Sequence, residues 1–102
     1  MFERIVGLEV TDEDGYQRYR EGMEPILNSY GGAFSYDFRV SEVLKSKNGA
    51  KINRVFVIEF PDREAMESFF ADPAYVAVQE EHFVGSVGER TLISLHEKEQ
   101  NA

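Results

Sequence analysis

One strand–helix unit is written nearly twice in this chain, fifty residues apart. Leu8-Glu9-Val10-Thr11-Asp12 is echoed by Ile58-Glu59-Phe60-Pro61-Asp62. Upstream, Val6 matches Phe56. Downstream, Asp14 matches Glu64, Tyr16 matches Met66 and Tyr19 matches Phe69. In each copy a strand-like run gives way to an aspartate that can cap a helix. At 102 residues the chain has room for one domain built around that duplication.

The rest of the pattern fills in around the two copies. Glu3 to Val10 alternates and reads as a strand. Asp12 caps a helix whose apolar stripe is Tyr16, Tyr19, Met23, Ile26, Leu27 and Tyr30. Pro25 should bend or divide that helix, and Gly31-Gly32 should end it. Ala33 to Leu44 alternates again. Asn48-Gly49, within the polar run Lys45 to Asn53, is a hairpin signal. Arg54 to Phe60 is the most apolar strand. Pro61 stops it and Asp62 caps a helix with Ala65, Met66, Phe69 and Phe70 inward. Asp72-Pro73 starts a short helix carrying Tyr75, Val76 and Val78. Glu89 to His96 is a last strand.

The order is βαββαβ, the ferredoxin-like α+β arrangement: a four-stranded sheet containing antiparallel pairs, with helices on one face. The two repeat strands are expected side by side and parallel in its centre. A single domain then spans 1–97, followed by a polar tail, 98–102.

One register stays open. A strict two-residue turn at Asn48-Gly49 places Phe38 opposite Glu59, so the Phe34-Tyr36-Phe38 side joins Val55, Val57 and Glu59. An odd loop or a bulge joins it to Phe56, Ile58 and Phe60 instead. In the first case both sheet faces are apolar, and one helix layer leaves the second face for a partner chain.

Composition excludes several classes. There is no cysteine, so disulfides and thiolate chemistry are absent. A net charge of −8 without a basic stripe argues against nucleic acid. No apolar run is long enough for a membrane span and no leader follows Met1, so a soluble cytoplasmic protein is expected.

Arg54-Val55-Phe56-Val57-Ile58-Glu59-Phe60-Pro61, then Glu64-Ala65 and Phe70-Ala71-Asp72-Pro73-Ala74-Tyr75, resembles the domain-of-unknown-function family 1330 (DUF1330). The helix ending in Tyr30-Gly31-Gly32 fits the same family, and the resemblance covers roughly residues 4 to 97. It implies a dimeric α+β barrel, in which two sheets pair through their uncovered faces. The implied ligand site lies between sheet and helices of each subunit. Relatives in that superfamily include small monooxygenases, haem-binding proteins and a lactone isomerase; the family itself has no assigned reaction. Where members often carry Arg-Gly-Gly in the second strand, this chain has Asp37-Phe38-Arg39, so an anion-binding role of that arginine in relatives is either lost here or moved to Arg39.

Glu9 and Glu59 occupy equivalent points of the two copies. On adjacent parallel strands they would share a face, and paired carboxylates can supply a general acid or base. Each could equally be a strand-end residue paired with Arg4 or Arg54. His82 after the short helix suits a general base or a haem ligand, or is simply solvated among glutamates. The many aromatic side chains suit core and dimer interface, or a pocket for a flat apolar ligand. Tyr36 and Tyr75 are the preferred pocket tyrosines, because their elements are expected to face each other. No His pair or His–carboxylate spacing makes a metal site, and no serine-centred triad is legible. The expected protein is a homodimer binding a small hydrophobic or aromatic molecule, with no resident cofactor. A monooxygenase- or isomerase-like enzyme using Glu59 or His82, and a haem binder, are the alternatives.

Overall fold

The computed structural model describes residues 1–99. The element order is β1 (Phe2–Val10), α1 (Glu13–Ser29), β2 (Ala33–Arg39), β3 (Arg54–Phe60), α2 (Arg63–Ala71), α3 (Pro73–Val78), a π-helical turn (Gln79–Phe83) and β4 (Val87–Glu97). Both repeat copies form the expected unit. The Asp12 carboxylate accepts from the Gly15 N–H, and Asp62 accepts from Ala65 N–H. Asp72 caps α3 through Ala74 N–H, with Pro73 at the first helical position, where its missing N–H costs nothing.

The sheet runs in the order β2-β3-β1-β4, and every neighbouring pair is antiparallel. The expectation that β1 and β3 run parallel is therefore overturned. The reason is connectivity. Helix α1 carries the chain back, so β2 runs with β1; the next loop reverses it, so β3 must run against β1. The two copies meet head to tail, with Val6 directly opposite its repeat mate Phe56. Away from that point the mates diverge.

Pro25 does not divide α1, which stays helical from Glu13 to Ser29. Met23 and Leu27 on either side of it are buried in the core, and that packing outweighs one lost hydrogen bond. Gly31 at φ +77° ends the helix; a Cβ there would also press on Pro61 Cγ at 2.8 Å.

Strand β2 is shorter than its alternation suggests, ending at Arg39. Asn48-Gly49 is not a two-residue hairpin between β2 and β3. It lies within the long connection of residues 40–53, where the Asn48 carboxamide accepts from Ala50 N–H and Gly49 takes φ +72°. A register shift between Phe34 and Tyr36 settles the open question in both directions at once. Phe34 pairs with Ile58 and turns to the helices, whereas Tyr36 and Phe38 pair with Val57 and Val55 on the other face. Ser35 is the extra residue of a bulge.

The core lies on the helix side of the sheet. Phe2, Val6, Leu8 and Val10 of β1 and Phe56, Ile58 and Phe60 of β3 pack with Tyr16, Tyr19, Met23, Leu27, Met66, Phe69 and Tyr75. Among the described residues no helix lies over the opposite face. That face carries Tyr36 and Phe38, 57% and 53% exposed, and is partly roofed by the long loop. Ile52 sits so close to Gly7 that a Cβ there would meet its Cδ1 at 2.8 Å.

Strand β4 begins at Val87 and ends at Glu97, and the Lys98 N–H still bonds Met1 O at 2.8 Å. The start of the expected tail is thus tied to β1; positions 100–102 lie outside the described residues.

Candidate functional site

Arg4 occupies the inward register of β1, in the series Phe2, Arg4, Val6, Leu8, Val10. Arg90 on β4 lies opposite Leu8, the same register across the ladder. Both guanidinium groups therefore belong to the helix side, at the β1–β4 end of the sheet. There they line an open, shallow cleft of about 520 Å³ with Met66, Glu67, Phe70, Ala71, Tyr75 and Gln79. Its inner end narrows to a slot of about 20 Å³, bounded also by Tyr19 and Phe83, with room for about one water.

The floor of the cleft is aromatic and rigid. Tyr19 and Tyr75 are buried and their hydroxyls hydrogen-bond at 2.9 Å. Phe69 and Phe70 stack around Tyr75 with centroids at 4.4 and 5.5 Å. The Arg4 guanidinium lies over the Phe70 ring at 4.7 Å. Burial and the like charge of Arg90 push the Arg4 pKa down, with the two tyrosines opposing the shift. Burial pushes the Tyr19 and Tyr75 hydroxyls up, Tyr19 further through its neighbour Tyr75. Both stay neutral donors and acceptors at physiological pH.

Of the six residues expected from sequence, only Tyr75 lines this cleft. Tyr36 is on the opposite sheet face, so the expectation that Tyr36 and Tyr75 face each other fails: the bulge at Ser35 turns Tyr36 away from the helices. Arg39 is on the surface, its side chain 79% exposed and 4.0 Å from Glu13. His82 lies in the π-helical turn, 3.8 Å from Glu81, and lines neither part of the cleft.

Glu9 and Glu59 are not neighbours. Antiparallel pairing puts Glu59 opposite Glu3, six positions along β1 from Glu9, about 20 Å at strand rise. Glu9 lies opposite Glu89 and borders a shallow groove of about 570 Å³ against the 40–53 loop. That groove is larger than the cleft but is walled by exposed loop and reaches none of the core aromatics. The carboxylate pair that does form is Glu3 with Glu59 on the open face. Lys98 Nζ lies 3.6 Å from each, and His96 Nε2 contacts Glu3 at 2.9 Å while its Nδ1 meets Ser94 Oγ at 2.6 Å. Glu59 is thus part of an ion network, and its partner is neither Arg4 nor Arg54.

Arg4 and Arg90 were missed by motif reading, although one signal was available: a charged residue at an inward strand position between Phe2 and Val6 is uncommon without a purpose. Among the described residues no group of His, Cys, Asp and Glu could hold a metal ion. No helix among them is long and apolar enough to cross a membrane.

An antiparallel four-stranded sheet with its helices on one face and an open cleft between the two layers defines a ferredoxin-like α+β protein. The chain belongs to the family described as Domain of unknown function (DUF1330), whose model matches residues 4–94. Solved structures share the fold at low identity. One is a protein of unknown function from Rhodopseudomonas palustris, with TM-score 0.74 and 19% identity over 90% of this chain and 78% of that one. A dabb family protein with a ferredoxin-like fold from Mesorhizobium loti gives 0.66 and 18% over 90% and 91%. A dimeric protein of unknown function and ferredoxin-like fold from Bacteroides fragilis gives 0.62 and 13% over 95% of each chain. No curated protein matches this chain in sequence.

Proposed function

We propose that this protein is a homodimer, joined through its uncovered sheet faces, that binds a small apolar or aromatic molecule between the sheet and the helices of each subunit. The observation that carries the binding reading is the aromatic floor of Phe70 and Tyr75 in an open cleft that runs into the slot beside Tyr19 and Phe83. The dimer reading is supported by Tyr36 and Phe38, stacked at 5.9 Å and each more than half exposed on a face that, among the described residues, has no helix over it. The Bacteroides fragilis structure with this fold is described as dimeric. Glu59 and His82 lie outside the cleft, so the reading assigns them no chemistry.

Native mass spectrometry of the gently purified protein tests both halves. The expected result is a dimer, with bound mass where the natural ligand co-purifies. Paired substitutions Tyr36→Asp and Phe38→Asp should shift it to monomer without loss of helical signal, since neither side chain joins the core. A wild-type monomer at micromolar concentration would sink the dimer. A cleft whose amide resonances ignore every apolar probe tried would sink the binding site.

A further inference from the structure

We propose that the cleft takes an apolar or aromatic carboxylic acid, with Arg4 and Arg90 as the pair that grips its carboxylate. This rests on the cleft being a ligand site and adds the class of ligand.

The chain carries nineteen Asp and Glu against eleven Lys and Arg. Among the described residues Arg4, Arg18, Arg63 and Arg90 nevertheless have no carboxylate within 4.0 Å, and of these Arg4 and Arg90 line one cleft together. Neither guanidinium makes a side-chain hydrogen bond there either. Two like charges share this cleft, one of them half-buried; burial first, and then the charge of Arg90, lowers the Arg4 pKa. Desolvating a cation next to a cation is costly unless an anion joins them.

Geometry gives that anion a form. Both arginines line the outer cleft and its inner slot, so both side chains border the place where the two meet. A guanidinium fork matches the two oxygens of a carboxylate, and Arg4 is already oriented by stacking on Phe70. Beyond the head group the walls are Phe70, Tyr75 and Met66, which suit an apolar body. The nearby Glu67 carboxylate on the rim favours a singly charged head over a multiply charged one.

The test uses 2-naphthoate and octanoate, each beside its neutral primary amide, titrated into ¹⁵N-labelled dimer and followed at the Phe70, Tyr75 and Gln79 amides. At least one acid should bind there about tenfold more tightly than its amide, and Arg90→Gln should erase that preference. Arg90 is exposed, so this variant folds; Arg4→Gln is the second arm. If acids and amides shift the cleft amides equally and Arg90→Gln changes nothing, the carboxylate assignment is overturned while the cleft remains a ligand site. If neither acid nor amide perturbs those amides, both readings fall together.

Discussion

Two pairs of arginines lie on the helix side of the same sheet, at opposite edges, and their surroundings differ. At the β2–β3 edge, Arg54 makes a bidentate contact with Asp37, at 2.8 and 2.9 Å. Arg20 reaches the same carboxylate at 3.0 Å, contacts Glu24 at 3.3 Å and the Tyr16 hydroxyl at 3.3 Å, and lies 3.6 Å over the Phe34 ring. Both guanidinium groups there share the Asp37 carboxylate. At the β1–β4 edge, Arg4 lies over the Phe70 ring with Arg90 as a neighbouring like charge. The first edge is closed by the chain's own carboxylate; the second holds no ion pair among the described residues, and a bound carboxylate is the proposed addition there.

The largest effect expected from this contrast is on stability at the finished edge. Asp37→Ala leaves Arg20 and Arg54, with side chains only 9% and 14% exposed, facing one another without their shared carboxylate. Breaking such a cluster should cost about 2 kcal/mol, below the range for fully buried pairs because Asp37 itself is 28% exposed and partly screened. The melting temperature should fall by about 10 °C in a domain this size. A change of less than a degree or two would mean that Phe34 and Tyr16 hold these arginines without the carboxylate.

Acid should find the same edge. Burial alone would raise the Asp37 pKa, but the hydrogen bonds from Arg54 and the charge of Arg20 outweigh it and hold it below the usual carboxylate value. A group whose folded pKa is depressed adds stability above its unfolded pKa, about 4, and loses it as pH falls through the folded value. Wild-type stability should therefore drop more steeply than that of Asp37→Asn as pH is lowered from 5 to 3. Parallel curves for the two proteins would remove Asp37 from the acid response.

The duplicated unit made this fold readable, and the same duplication misled about the site. Val6 and Phe56 are equivalent in sequence and do sit opposite each other. Extending that equivalence along parallel strands put Glu9 beside Glu59, whereas the connection forces β3 to run backwards and brings Glu3 there instead. Alternation in β2 was visible, but the bulge at Ser35 was not, because one inserted residue leaves the composition of the strand unchanged while sending Phe34 and Tyr36 to opposite faces. Tyr75 lines the cleft although the reason for choosing it, that its helix faces Tyr36, fails. Arg90 was hidden because its register depends on shifts in the β1–β4 ladder that no local pattern announces.

The smallest expected effect is the sharpest test of the contrast. Arg54→Gln removes a bidentate ion pair and its position over Tyr16, 5.1 Å from the ring, and should cost about 1.5–2 kcal/mol. Arg90→Gln removes an exposed cation that repels Arg4 and makes no ion pair among the described residues. Its stability should stay within about 0.5 kcal/mol of wild type, with any change toward greater stability as the repulsion is relieved. Chemical denaturation of the two variants side by side reads the difference. Equal losses would mean that the two edges are structural alike, and that Arg90 has a partner within the fold; a loss confined to Arg54→Gln leaves Arg90 free for a ligand.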